Sequence, residues 1–228
     1  MVSSSIYKEV AAEKLVQTEG RRRQARGDTT KTKIIAASVR EFSERGYDGV
    51  SLRDVETSAG LQRGLAKYHF GSKEELFKAV VDDIFGALDE YRYSRNQTER
   101  NISSRERLGF RIRSFVRYSA QRPELNRLMS QEGKHDSWRL RYILDVFLRR
   151  AVNDTKDLAV AHLSLTSEAF CHWYYLYVGS GAFVFSMAPE ARQLFGIDVS
   201  SEEFIDRHAD MVADMLLSVM QMPDGEVT

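Results

Sequence analysis

The chain has 228 residues, with 33 Lys and Arg balanced by 33 Asp and Glu, 43% hydrophobic residues and a single Cys. That composition excludes a disordered chain, a disulfide scaffold and a cysteine-built structural zinc site, and a lone thiol fits a reducing compartment. The balance hides an asymmetry: residues 1–73 hold fourteen basic against nine acidic side chains, and residues 74–228 hold nineteen against twenty-four. The first third therefore suits a polyanionic partner and the remainder does not.

Residues 1–20 carry charges every few positions and no continuous apolar run, so they do not read as a secretory signal, and a cytoplasmic location is expected. Arg21, Arg22, Arg23 and Arg26 form the densest basic stretch, readable either as a solvated tail or as an arm that touches nucleic acid. Residues 1–27 are accordingly read as a flexible basic extension. Pro occurs only at 123, 189 and 223, and no stretch alternates as a strand would, which makes the chain all-α.

From Thr30 to Arg45, Ile35, Val39 and Phe42 share one helical face, and Gly46 is a stop. Ser51 then caps a short helix carrying Leu52, Val55 and Ala59, with Asp54 in a weak capping-box position and Gly60 as its end. A third short helix is predicted from Gln62 to Phe70. Gly64 in its interior would cost about 1 kcal/mol against Ala, which points to a close approach of backbone to DNA or to the neighbouring helix.

Ser72 and Glu75 make a capping box that opens a longer helix through Leu76, Val80, Ile84 and Leu88 to about Tyr93. Beyond a polar loop at 96–104, helices are predicted near 105–121, 124–132 and 137–152, with a polar break around Asn153 to Lys156. Residues 169–187 are the most apolar stretch. Their length invites a membrane span, but His172, Ser180 and Ser186 and the lack of flanking basic anchors favour a buried helix. Ser200 and Glu203 make a further capping box before an amphipathic last helix with Phe204, His208, Met211, Met215 and Val219 on one stripe.

Two short helices joined by the tight Ala59-Gly60-Leu61 turn are what a helix-turn-helix requires, the first bracing while the second enters a major groove. With Leu61, Leu65 and Phe70 inward, Gln62, Arg63, Lys67, Tyr68 and His69 face outward. Gln can pair bidentately with adenine and Arg with guanine, while Lys, Tyr and His can bind phosphate or stack. Lys73 begins the next helix, where free N–H groups also favour a phosphate.

The run Thr30-Lys31-Thr32-Lys33-Ile34-Ile35-Ala36-Ala37, then Phe42, Arg45-Gly46-Tyr47, Ser51-Leu52-Arg53-Asp54-Val55, Ala59-Gly60-Leu61 and Tyr68-His69-Phe70-Gly71-Ser72-Lys73-Glu74-Glu75-Leu76, resembles the TetR/AcrR transcriptional regulators. The resemblance is specific over about 45 residues. It implies an all-α homodimer with an N-terminal three-helix DNA-binding domain, here 28–73, and a larger C-terminal ligand-binding and dimerisation domain, here 74–228. Such proteins bind double-stranded operator DNA and usually repress until a small-molecule effector binds. By position, Ser51 resembles a phosphate-contacting cap, Gln62 and Arg63 the base-reading start of the recognition helix, and Tyr68, His69 and Lys73 its phosphate-contacting end. Lys67 stands where Tyr is frequent, Ala66 where a larger aliphatic is common, and Glu56 where Ala is usual; Glu56 is read as a solvated surface acid.

If the C-terminal part senses a ligand, Phe115, Trp138, Trp173, Tyr174, Tyr177 and Phe183 are candidate pocket residues, with His172 as a polar contact, although aromatics at helical spacing are commonly core. The same helices could dimerise through Gly179-Ser180-Gly181, and His208 reads as a satisfied interface histidine rather than a metal ligand. No cofactor or metal site is expected. An all-helical enzyme using His172 or His208 finds no supporting motif, since H-E-x-x-H, the P-loop, G-x-G-x-x-G and G-x-S-x-G are all absent. A helical adaptor that binds only protein differs by predicting no salt-dependent DNA affinity.

Overall fold

A computed structural model describes residues 27–88, 90–91 and 102–218. The basic run Arg21 to Arg26, the end of the long helix near Tyr93, most of the polar loop after it, and Val219 lie outside the described residues. Among those described the structure is helical without strands, as the absence of alternating patterns requires. They divide into two compact units, the first ending at Val80 and the second starting at Val81.

The first unit comprises α1 (27–45), α2 (Leu52–Ser58), α3 (Leu65–Phe70) and most of α4 (Lys73–Val81). Its core is built by Ile34, Phe42, Val50, Val55, Ala66, Leu76 and Phe77, all buried. The Phe42 ring meets Phe77 edge-on at 5.5 Å and stacks with Tyr47 at 5.8 Å, which ties α1 to α4 through aromatic contacts. Gly46, with φ 69°, ends α1 where a left-handed residue is needed.

In the second unit a π-helical turn at Asp82–Gly86 is followed by α5 (Ser104–Gln121), α6 (Glu124–Glu132), α7 (Trp138–Ile143), a second π-helical turn (Leu144–Leu148), α8 (Arg149–Leu163), α9 (Ser167–Ser186), α10 (Ala188–Phe195) and α11 (Glu202–Ser218). Helix α5 is the central element, packed on α8, α9 and α11. Its start is fixed by a reciprocal box, in which Ser103 Oγ accepts from the Glu106 N–H and the Glu106 carboxylate accepts from the Ser103 N–H. Leu108, Ile112, Phe115 and Val116 of α5 are buried together with Trp173 and Ala182 of α9 and Val212, Ala213 and Leu216 of α11. On the flank, Arg113 donates to Asp210 at 2.6 Å and Arg117 to Asp206 at 2.9 Å, pinning α11 along α5.

The first π turn is held by three side chains. Tyr142 Oη donates to Asp82 Oδ1 at 2.8 Å, Arg122 to Asp83 Oδ2 at 2.7 Å, and Tyr118 Oη to the Ile84 carbonyl. Phe85 lies 5.6 Å from Phe147 of the second π turn.

Three expectations from the sequence are corrected here, and one helix is added that the sequence reading did not name. The polar stretch Asn153 to Lys156 is inside α8 rather than a break, because Thr155 Oγ1 turns back to the Ala151 carbonyl at 2.8 Å and the neighbouring polar groups face solvent. A separate helix, α10, follows α9, started by Pro189 in its first turn. The cap of α11 is Ser201 Oγ, which accepts from the Phe204 N–H, whereas Ser200 Oγ donates to Asp198 Oδ1 at 2.6 Å.

Helix α9 is not buried all round. Phe170, Trp173, Tyr177 and Phe185 face the core, while Tyr175, Leu176 and Phe183 are exposed. No helix among the described residues is long and apolar enough to cross a membrane.

Candidate nucleic-acid interface

Helix α2 starts at a complete reciprocal box. Ser51 Oγ accepts from the Asp54 N–H at 3.2 Å, and Asp54 Oδ2 accepts from the Ser51 N–H at 2.8 Å and from its hydroxyl at 2.7 Å. The Ser51 hydroxyl and backbone N–H, with the Arg45 and Arg53 charges nearby, hold the Asp54 carboxyl below the ordinary carboxylate range. Arg45 also donates to the Gly49 carbonyl at 2.6 Å and bridges to Glu41, so the end of α1 braces the loop that leads into Ser51. Ser51 is exposed.

The chain leaves α2 through Ala59 and Gly60, the latter at φ 65°, and reaches α3 in a tight turn. Here the sequence expectation needs correcting. Helix α3 begins at Leu65, so Gln62 and Arg63 stand in the turn before it, and Gly64 is its N-cap at φ 93° rather than an interior residue. A Cβ at Gly64 would meet nothing of the chain within 4 Å, so glycine is needed there for its left-handed backbone and not for close approach to the neighbouring helix.

Glu56 is also not a surface acid. It is 4% exposed, and its Oε1 accepts from the N–H groups of Gly64 at 2.9 Å and Ala66 at 2.8 Å. The first N–H groups of a helix have no partner inside it, and the Glu56 carboxylate supplies one from the preceding helix.

This placement turns the candidate DNA-contacting side chains outward. Gln62, Arg63, Lys67 and Tyr68 are exposed, Tyr68 by 75% of its surface, while Ala66 is fully buried and Leu61, Leu65 and Phe70 are half-buried beneath them. His69 is half-buried, with its ring edge-on to Tyr68 at 5.1 Å.

Gly71, at φ 77°, ends α3. Ser72 Oγ then caps α4 by accepting from the Glu75 N–H at 3.1 Å. The Lys73 ammonium lies 4.1 Å from the centroid of the Tyr47 ring and is half-buried. Gln62, Arg63, Lys67, Tyr68, His69 and Lys73 thus lie within one turn–helix–turn stretch, and Ser51 caps the helix before it.

A protein-family model described as "Bacterial regulatory proteins, tetR family" matches residues 34–80, the segment that contains these elements. Residues 34–80 thus carry the signature segment of the tetR family of bacterial regulatory proteins. It is 24% identical over 191 residues, covering 82% of this chain and 96% of the relative, to the biofilm operon negative transcriptional regulator IcaR of Staphylococcus epidermidis. It is 27% identical over 170 residues, 67% of this chain and 78% of the relative, to the transcriptional repressor NicS of Pseudomonas putida. The fold of the chain is similar to that of AibR in its complex with isovaleryl coenzyme A and operator DNA, with a TM-score of 0.62 at 16% identity over 82% of this chain and 98% of that one.

The candidate pocket residues named from the sequence separate into three groups. Phe115, Trp173 and Tyr177 are buried as one aromatic cluster, Phe115 lying 4.8 Å and Trp173 5.4 Å from Tyr177, and half-buried Tyr174 borders it at 6.4 Å. The Trp173 Nε1–H donates to the Leu216 carbonyl at 3.2 Å. His172 and Phe183 stand on the exposed side of α9 and do not join this cluster, because they fall about a quarter to half a turn away from Trp173 and Tyr177. Trp138 is half-buried at the start of α7. His208 Nε2 pairs with the Ser180 carbonyl at 2.8 Å, and its ring stacks on Phe204.

Proposed function

We propose that this chain is a ligand-responsive repressor that binds double-stranded operator DNA as a homodimer and is released by a small apolar or aromatic effector. The observation that carries the reading is the exposed set Gln62, Arg63, Lys67 and Tyr68 presented around a short helix whose inner side is buried and capped. In this reading residues 28–73 form the DNA reader. Gln62 and Arg63 read base edges, Ser51, Lys67, Tyr68, His69 and Lys73 hold phosphates, and the two α3 helices of a dimer sit one DNA turn apart, about 34 to 36 Å.

Residues 74–228 form the sensor and the dimer interface. Tyr175, Leu176 and Phe183 on α9 and Met211 and Met215 on α11 are exposed, and apolar surface of this kind is what a second copy would cover. The Phe115–Trp173–Tyr177 cluster, bordered by Tyr174, is the region an effector would occupy or reshape. An effector releases DNA only by favouring a state of the dimer that binds the operator less well. The chain segment that passes the signal is α4 and the π turn after it, which run from Lys73 to the side chains of Tyr142, Arg122 and Tyr118.

Fluorescence anisotropy with labelled duplex from upstream of the protein's own gene, read over a salt series against scrambled competitor, tests the reading. Expected are tight, competitor-resistant binding, a steep salt slope, and loss of operator affinity in the Arg63→Ala/Lys67→Ala variant with helicity intact. Retained affinity in that variant would overturn it.

A further inference from the structure

We infer that Glu56 is a positioning residue for DNA reading, setting the start of the recognition segment from the helix behind it. The inference rests on the DNA-binding reading above, but its observations stand on the fold alone. Glu56 lies in the second half of α2, at 4% exposure, and its single oxygen Oε1 accepts from both Gly64 and Ala66. Its own carbonyl accepts from the Leu61 N–H at 2.9 Å. One residue thus binds the chain before, at and just after the turn that carries Gln62 and Arg63.

Gly64 has no side chain with which to cap α3, and its left-handed φ would allow many orientations if it were free. A buried carboxylate is tolerated only where charge-assisted hydrogen bonds replace its water, and the two N–H groups supply these. The pairing fixes Gly64 on one side of Leu65 and Ala66 on the other. The direction in which Gln62 and Arg63 leave the backbone is fixed before any DNA arrives, so less ordering is lost on binding.

Base contacts depend on such placement far more than phosphate contacts do, because bidentate pairing tolerates little displacement whereas attraction to a phosphate is long-ranged. Loss of Glu56 should therefore lower discrimination between sequences and leave general DNA affinity in place. A residue with a merely structural role would weaken both together.

The test uses the full-length protein and the duplex that the wild type selects most tightly from a random-sequence pool, compared with a scrambled duplex at fixed salt. Glu56→Ala removes the acceptor, and Glu56→Gln keeps one acceptor oxygen at the same reach. Expected for Glu56→Ala is a loss of about tenfold on the selected duplex, unchanged affinity for the scrambled one and an unchanged salt slope, with most of the loss restored in Glu56→Gln. In the absence of DNA, the amide protons of Gly64 and Ala66 should exchange faster in Glu56→Ala while those of Ile112 and Val116 in α5 do not.

Where Glu56→Ala loses its helicity, Glu56→Asp replaces it: one methylene shorter, it keeps the charge but not the reach, and the same loss of discrimination is expected. Undiminished discrimination, equal loss on both duplexes, or failure of Glu56→Gln to restore it overturns the proposal. A wild type that discriminates between no sequences overturns the DNA reading and this role with it, and the amide exchange then reports only a cap.

Discussion

Gly181 lies directly against Phe115: a Cβ built on the glycine would come to 3.0 Å from Cδ1 of the ring and 3.1 Å from Cε1. The glycine therefore sets how closely α9 approaches α5 beside the buried aromatic cluster. Gly181→Ala is expected to destabilise the protein by about 1–3 kcal/mol through overpacking, since a buried ring held 4.8 Å from Tyr177 has little room to move. Gly179, two residues earlier, has nothing within 4 Å of such a Cβ, so Gly179→Ala should be neutral or slightly stabilising. Chemical denaturation of the two variants checks the contrast; equal effects would refute it.

The capped carboxylates give the fold a defined acid dependence. Asp54, Glu106 and Asp198 are each lowered, chiefly by the side-chain hydroxyl and then the backbone N–H of Ser51, Ser103 and Ser200 respectively. A carboxyl whose folded value lies below its unfolded one stabilises fully above the unfolded value, here near 3.8 for Asp and 4.5 for Glu, and that contribution is lost as pH falls through the folded value. The melting temperature should thus fall between pH 5 and the acid range. Asp54→Asn should lower it at pH 7 and show a shallower acid decline. A decline identical to the wild type would remove Asp54 from the account.

Glu132, 2% exposed at its side chain, accepts from Arg139 Nε at 2.6 Å across the turn between α6 and α7. Removing one partner leaves the other charge buried, so Glu132→Ala is expected to cost about 3–5 kcal/mol. Glu132→Gln, which keeps an acceptor, should cost less. Thermal unfolding of both variants decides this, and a neutral Glu132→Ala would show that Arg139 is satisfied without Glu132.

Glutamates placed at Met211 and Met215 should separate a dimer formed on the exposed face of α9 and α11. Sedimentation should then report a species of one 26.1 kDa chain where the wild type shows two. Unchanged far-UV dichroism is expected, because both side chains are exposed in the single chain. A dimer that survives both substitutions places the interface elsewhere.

The features legible in the sequence were those written locally. The Ser51–Asp54 box joins residues three apart, the glycine stops at 46, 60 and 71 need only their own backbone, and the stripe Leu76, Val80, Ile84 and Leu88 follows one helical face. What was hidden depends on partners farther along the chain. Glu56 looked solvated because its acceptor role needs Gly64 and Ala66, eight and ten residues on and across a turn, and no spacing rule links them.

Gly179 and Gly181 look alike as small residues, yet within the chain only the second meets a neighbouring helix. The apolar run 169–187 reads as buried on every side because composition says nothing of which face of a helix its neighbours leave exposed. The outward Gln62, Arg63, Lys67 and Tyr68 are legible, whereas the start of their helix is not, since Gly64 is acceptable both inside a helix at a cost and at a left-handed cap without one.

The cap that Glu56 supplies also bears on the order in which the parts form. Helices α2, α5, α7, α9 and α11 each have a Ser or Thr hydroxyl of their own at the start, so their first turns are specified by the local chain. Helix α3 is six residues long, shorter than an isolated helix can sustain, and borrows its cap from α2. A peptide spanning 62–70 should be unstructured by itself, and the recognition segment should acquire its shape only after α2 exists, as a late and conditional step of folding.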